Sequence, residues 1–131
     1  MVPAPEFVQG IAQFNQQQFY ACHDTLEEIW HEAPTSDRNF YQGILQIAVG
    51  CYHLTQGNRN GASILLGEGL RRLSQYERDF GGIQLEKLEA DSEALLVWIQ
   101  NATASQYQLL TAEPGQFEYW PHISLQENAA D

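Results

Sequence analysis

The chain has 131 residues, of which 44% are hydrophobic and 11% aromatic, a size and composition that suit one folded domain with its own core. Its 17 acidic and 6 basic residues give a net charge of −11, which argues against nucleic acid and anionic membranes as partners because both repel such a surface. No apolar run reaches the about 20 residues of a membrane span. The first five residues also lack the basic start and apolar stretch of a secretory signal, so a cytoplasmic location is expected.

Apolar residues recur at helical spacing through most of the chain and predict an all-α fold. Five helices are expected, at residues 5–15, 18–33, 37–55, 59–79 and within 85–102. The third helix is apolar on most of its circumference, which indicates a central position in the bundle. Two glycines on one side of it, Gly43 and Gly50, indicate a place where another helix or a ligand approaches the backbone closely.

A weak internal repeat relates the first two helices to the next two. A shift of about forty residues places Cys22 on Ala62 and Leu26 on Leu66, so two stacked helical hairpins are expected rather than a solenoid, which needs about three or more units. Cys22 and the other cysteine, Cys51, fall on apolar stripes without a C-x-x-C pattern. They are expected to be buried free thiols.

The pattern weakens after residue 104, where Pro114-Gly115 and Trp120-Pro121 argue against a long final helix. One domain is therefore expected over residues 1–131, with a compact helical core at about 5–103. The C-terminal tail at about 104–131 is expected to be partly extended and to wrap the body. Its end, residues 128–131, is expected to be disordered.

Polar residues on the second and third helices form the candidate site. His23 and Glu27 are four residues apart, so they share a helix face, with His23 at least half buried and Glu27 nearer the rim. Gln46 and His53 lie on a polar strip of the third helix. If the two helices pack antiparallel across a short loop, these four residues could gather in one place.

Three interpretations of this constellation remain open. The residues can satisfy one another and lock the helix packing. Alternatively His23, Glu27 and His53 can bind a divalent metal such as zinc or iron, since imidazoles and carboxylates are common ligands of both. The third option is a pocket for a small molecule or a peptide, with Trp30 and the glycines shaping it.

Signatures of well-known enzyme classes are missing from the sequence. It contains no glycine-rich phosphate loop, no G-x-S-x-G elbow and no H-E-x-x-H pair. A di-iron bundle needs two E-x-x-H motifs, and the chain has one, Glu28 to His31, whose polar members are expected to face solvent.

Three spaced blocks of the sequence resemble a small all-helical bacterial family that is catalogued as a domain of unknown function, number 309. The first block is H-x-x-x-E-x-x-W at His23, Glu27 and Trp30. The second is R-x-F-x-Q-G-x-L-Q-x-A over residues 38–48, and the third begins at His53.

The similarity covers about residues 7–88 and implies a compact multi-helical bundle without an established activity. It also places eight residues on family motif positions, namely His23, Glu27, Trp30, Arg38, Gln42, Gly43, Gln46 and His53.

The preferred hypothesis is a non-enzymatic helical module with a polar pocket between the second and third helices. Its partner is a protein, a peptide, a small molecule or a second copy of the chain, and no cofactor is expected. The alternative is a metal-dependent or acid/base enzyme in which Glu27 acts as base or ligand, His23 as ligand or acid, and Trp30 as the pocket wall.

Overall fold

The computed structural model describes residues 3–127, which form six α-helices joined by short turns. The helices are α1 Pro5–Asn15, α2 Phe19–Glu32, α3 Thr35–Thr55, α4 Arg59–Leu73, α5 Leu85–Asn101 and α6 Ala104–Ala112. Two 3-10 turns, Phe80–Gly82 and Pro114–Gln116, precede α5 and follow α6. Among these helices, none is both long and apolar enough to cross a membrane. The predicted all-α class is confirmed.

Consecutive helices pack against one another, and α3 occupies the centre. It packs most extensively against α4 and next against α2, while α1 packs on α2 and α5 on α4. The apolar stripes predicted from the sequence become the core, in which Phe14, Phe40 and Leu66 are fully buried. The bundle therefore consists of the hairpins α1–α2 and α3–α4, extended by α5 and α6.

The junction between α3 and α4 follows directly from its sequence. Gly57 adopts the left-handed conformation with φ 77°, which an L side chain disfavours and which ends a helix. The Asn58 side chain then accepts a hydrogen bond from the backbone N–H of Gly61 at 2.9 Å and caps α4.

Helix α4 ends at Leu73, six residues before the end that periodicity predicts. The chain turns after Leu73, and the rings of Tyr76 and Phe80 pack on Phe40 at centroid distances of 5.6 and 4.8 Å. The Tyr76 hydroxyl also accepts a hydrogen bond from the Phe40 backbone N–H and donates one to the Ser36 carbonyl. Tertiary packing on α3 therefore overrides the local helical pattern.

Helix α6 is an addition to the five predicted helices. Its start carries a capping box, in which Thr103 and Gln106 each bind the other's backbone N–H. The T-x-x-Q spacing is a recognisable start signal, whereas hydrophobic periodicity, on which the helix prediction relied, is weak there.

The C-terminal segment lies against the body, as predicted. The Asn15 side chain binds both backbone groups of Ile123, at 2.9 Å to its carbonyl and 2.8 Å from its N–H. Trp120 is buried with its ring 5.1 Å from the ring of Phe19. The predicted disorder of residues 128–131 concerns positions outside the described residues.

Both cysteines are free and buried, as predicted. Burial raises the pKa of the Cys22 thiol to about 12. The pKa of Cys51 is also raised, by burial first and by the neighbouring Cys22 second. These thiols are therefore core side chains in their neutral form and lack the low pKa of a reactive cysteine.

Candidate functional site

Helices α2 and α3 run antiparallel, so the start of α2 lies beside the end of α3. The rings of Tyr20 and Tyr52 meet there at 5.4 Å. At the opposite end, the Arg38 guanidinium lies 5.7 Å from the centre of the Trp30 ring. The two helices therefore pack antiparallel, which was the condition for bringing the predicted site residues together. Which of these residues meet depends on the directions of their side chains.

A cavity of about 220 Å³ lies between the start of α2 and the end of α3. Six residues line it, namely Phe19, Tyr20, His23, Val49, Tyr52 and His53. Its surface is almost entirely apolar and is formed by the aromatic and aliphatic parts of these side chains. The structure thus brings His23 and His53 to one cavity from opposite helices.

A second, more open groove of about 510 Å³ borders the same cavity. The two share Phe19, Tyr20 and Tyr52 as lining residues. The rest of the groove is mostly amide and hydroxyl side chains, including Gln17, Gln18, Thr55, Gln56 and Thr111. An apolar recess and a groove lined by hydrogen-bonding side chains therefore lie next to each other.

His23 also belongs to a polar cluster on the outer side of α2. Its Nδ1 lies 3.2 Å from Asp24 Oδ1 and its Nε2 lies 3.5 Å from Glu27 Oε2. The His23 side chain is 30% exposed and that of Glu27 is 48% exposed, as predicted for a group at the rim. His31 Nε2 approaches the other Glu27 oxygen at 3.9 Å. These pairs are solvent-accessible, so each contributes little to stability.

Within residues 3–127, the cluster of side chains close enough to share a metal ion contains Asp24 in place of the His53 named from the sequence. Ligand atoms of His23, Asp24 and Glu27 lie within 4.8 Å of one another, whereas His53 lies across the cavity on α3. The ring nitrogen Nδ1 of His53 is 3.3 Å from the Asn58 amide nitrogen. Asp24 lies next to His23 on the exposed side of α2.

Contacts of Trp30 and Arg38 stabilise the turn between α2 and α3. Arg38 Nε donates a hydrogen bond to the Ala33 carbonyl at 3.2 Å while its guanidinium stacks on Trp30. This arrangement combines a cation–π contact with a cap on the end of α2. Both residues therefore hold the two site helices in register and stand at the far end from the cavity.

Gln46 does not join His23, so the gathering of all four residues, which the sequence left open, does not occur. Its Nε2 donates to Glu68 Oε2 at 3.0 Å, and its Oε1 accepts from Arg72 Nε at 3.1 Å. Arg72 also donates to Asn39 at 2.6 Å. Gln46 is thus bound to α4, two helical turns from His53.

Gln42 lies one turn before Gln46 on α3 and is half-buried. The polar strip of α3 therefore contacts two different neighbours, α4 and the cavity beside α2. Gln46 belongs to the contact with α4, and His53 at the end of the strip reaches the cavity beside α2.

The sequence did not single out Tyr20, Val49 or Tyr52 as site residues, nor the glutamines before α2. Val49 and Tyr52 belong to the apolar circumference predicted for the third helix, and the glutamines were predicted to form a turn. The one available signal was Tyr20, a large aromatic residue on the outer side of the α2 stripe, which is 60% exposed in the structure.

The fold and the site define an all-α domain of antiparallel hairpins with an aromatic cavity between α2 and α3. Residues 7–65 match the family model described as "Domain of unknown function (DUF309)". The chain thus resembles this family, as its sequence blocks predicted, although the match ends before the predicted residue 88. The matched stretch contains all seven site residues predicted from the sequence and all six residues that line the cavity.

Two relatives of the chain come from bacteria. The chain is 30% identical over 97 residues to "Uncharacterized protein YpuF" of Bacillus subtilis (strain 168), covering 72% of this chain and 53% of that protein. It is 25% identical over 84 residues to an "Uncharacterized protein" of Aquifex aeolicus (strain VF5), covering 63% of this chain and 25% of that protein. The chain therefore spans about half and a quarter of the lengths of these relatives.

Proposed function

We propose that the domain is a non-catalytic module that binds a peptide segment of a partner protein. An apolar side chain of the peptide fills the cavity between α2 and α3, and the adjoining backbone lies in the groove beside it. The observation that carries this proposal is the shared wall of Phe19, Tyr20 and Tyr52, which places the cavity and the groove next to each other.

The size of the cavity selects the anchoring side chain. An apolar cavity of about 150 Å³ holds one benzene molecule. The cavity beside Val49 measures about 220 Å³, so it has room for one aromatic ring with a few further atoms. Aromatic anchors also provide the largest apolar contact area at a binding surface.

The polar groups around the cavity suit the rest of a peptide. Amides such as Gln17, Gln18 and Gln56 carry both donors and acceptors, which match the alternating N–H and carbonyl groups of an extended backbone. His23 and His53 are among the residues that line the cavity. Asp24 and Glu27 near His23 favour a neutral or basic peptide over an acidic one.

The proposed setting is the cytoplasm. Two buried, unpaired thiols, Cys22 and Cys51, are compatible with a reducing compartment, in which disulfides are rare. This location also supplies protein partners for a module of the proposed kind.

The test is a titration with blocked amino acids that mimic single anchors. N-acetyl-phenylalaninamide and N-acetyl-tyrosinamide are expected to shift the amide resonances of Phe19, Val49 and Tyr52 in ¹H–¹⁵N spectra, and N-acetyl-alaninamide is not. Val49→Phe fills the cavity and should abolish these shifts.

The matched control is Val97→Phe, which makes the same change at an exposed position of α5 outside the cavity and should leave the shifts unchanged. Equal shifts with the alanine derivative, or shifts that persist in a folded Val49→Phe protein, would contradict the proposal.

The alternative is a metal-dependent enzyme centred on α2, and the cluster of His23, Asp24 and Glu27 favours it. One imidazole and two carboxylates are acceptable ligands for zinc or iron. Elemental analysis of untagged protein decides between the two functions. Near-stoichiometric metal, lost together with thermal stability in Glu27→Gln but retained in Glu28→Gln, would favour the enzyme and count against the peptide module.

A further inference from the structure

A separate apolar groove of about 300 Å³ lies between α6 and the segment that follows it. Trp98 of α5 lies beneath it, and Leu109 and Tyr119 stand at its sides. Leu109 is 72% and Tyr119 50% exposed. Large apolar side chains left this accessible next to one another mark an interaction surface more often than scattered single residues do.

Ring packing holds the groove in shape without a partner. Phe117 packs on Trp98 at 4.7 Å and on Tyr119 at 5.6 Å between ring centroids. The next residue, Trp120, is anchored by its Nε1, which donates to the Pro114 carbonyl at 2.8 Å. A preformed surface of this kind loses little conformational entropy when a partner binds.

Two carboxylates, Glu113 and Glu118, line the same groove. Both are exposed, and neither has an ion-pair partner among residues 3–127. The groove thus combines an apolar floor with negative charge at its rim, on a chain whose net charge is −11.

We propose that this groove docks a basic peptide segment of a partner protein, with one aliphatic or aromatic anchor flanked by lysine or arginine. Charge complementarity selects this occupant, because flanking cations would face Glu113 and Glu118 while the anchor contacts Leu109 and Trp98. A second copy of the chain fits poorly. A two-fold contact through this patch would bring the glutamates of one copy near those of the other.

Two blocked hexapeptides test the proposal by fluorescence anisotropy at low salt. Both contain Leu-Phe at the centre, and the flanking pairs are lysines in one and glutamates in the other. The lysine peptide is expected to bind at least about tenfold more tightly, equivalent to about 1.4 kcal/mol. Leu109→Asp should abolish its binding, whereas Ile64→Asp, the same kind of change at an exposed position of α4, should not.

The charge reversal Glu113→Lys with Glu118→Lys gives the sharpest readout, since it should invert the preference between the two peptides. An unchanged preference in that variant would overturn the proposal. So would concentration-dependent dimerisation in sedimentation that Leu109→Asp removes, because the groove would then belong to a second copy.

This surface is independent of the cavity between α2 and α3. Val49→Phe is expected to leave binding of the lysine peptide intact. Loss of binding in that variant would assign the peptide to the cavity and overturn the assignment to this groove.

Discussion

Gly43 and Gly69 lie where the backbones of α3 and α4 come closest. A Cβ on Gly69 would lie 2.7 Å from the carbonyl oxygen of Gly43, and a Cβ on Gly43 would lie 2.9 Å from the Leu73 side chain. The sequence predicted a close approach at Gly43 and Gly50, and this is confirmed. It left open whether a helix or a ligand was responsible, and α4 fills that place.

Substitution of the two interior glycines of α4 should have opposite effects. Gly69→Ala is expected to lower the free energy of unfolding by about 1–3 kcal/mol, since backbone atoms must move to admit the methyl group. Gly67 has open space around its Cβ direction, so Gly67→Ala should raise it by about 0.5–1 kcal/mol through helix propensity. Urea denaturation of both variants measures the two values, and a stabilised Gly69→Ala protein would contradict the described packing.

The candidate site contains residues whose relation the sequence predicted and residues whose relation it could not predict. His23 and Glu27 lie as the sequence predicted, because a spacing of four fixes their relation on one helix. Whether His53 or Asp24 completes a group with them depends on side-chain directions across two helices. The sequence alone could not decide this.

At the scale of helices, a polar network connects α3 to α4 inside an otherwise apolar contact. Arg72 is its centre, bound to Asn39 and Gln46, and Gln46 continues it to Glu68. Such groups need partners because an unpaired buried donor or acceptor is costly. The network therefore orients α4 on α3. It also holds the Gln46 side chain against α4, away from the cavity beside α2.

Truncation of Arg72 should expose this dependence. Arg72→Ala is expected to lower the free energy of unfolding by about 1–3 kcal/mol, because it leaves the acceptor of the buried Gln46 unsatisfied. The adjacent exposed Arg71 provides the control, and Arg71→Ala should leave the unfolding midpoint in urea unchanged. Equal effects of the two variants would show that the network adds nothing to the helix contact.

Carboxylates on helix α5 repel one another, as expected for a chain with such an acidic composition. The pKa of Glu89 is raised from its ordinary value of 4.5 by partial burial and by the nearby carboxylates of Glu93 and Glu86. Ionised Glu89 therefore opposes folding. The cost is absent at pH values below the ordinary pKa and develops as the pH rises through the raised one.

Removing that charge should stabilise the protein in a way that depends on pH and salt. Glu89→Gln is expected to raise the free energy of unfolding at pH 7 by about 0.2–0.5 kcal/mol, as for other like-charge pairs on a helix. The gain should shrink in 0.5 M sodium chloride through screening and vanish below pH 4. Thermal melts of Glu89→Gln measure this gain in stability. The control is Glu77→Gln, the same change in the exposed turn after α4. A gain that persists at low pH would refute the charge origin.

The sequence by itself determined the helical class, the central place of α3, the buried thiols and the residues that carry the family motifs. These follow from spacing along one helix, which is a local property with a period of 3.6 residues. The same property was sufficient for the shared face of His23 and Glu27.

Only the tertiary structure decided which faces meet. It bound Gln46 to Glu68 and Arg72, set His53 opposite His23, and joined the glutamines before α2 to the end of α3. Spacing identifies the face of a helix but not the neighbour that covers it. The tilt, rotation and contacts of packed helices result from all their side chains fitting together at once.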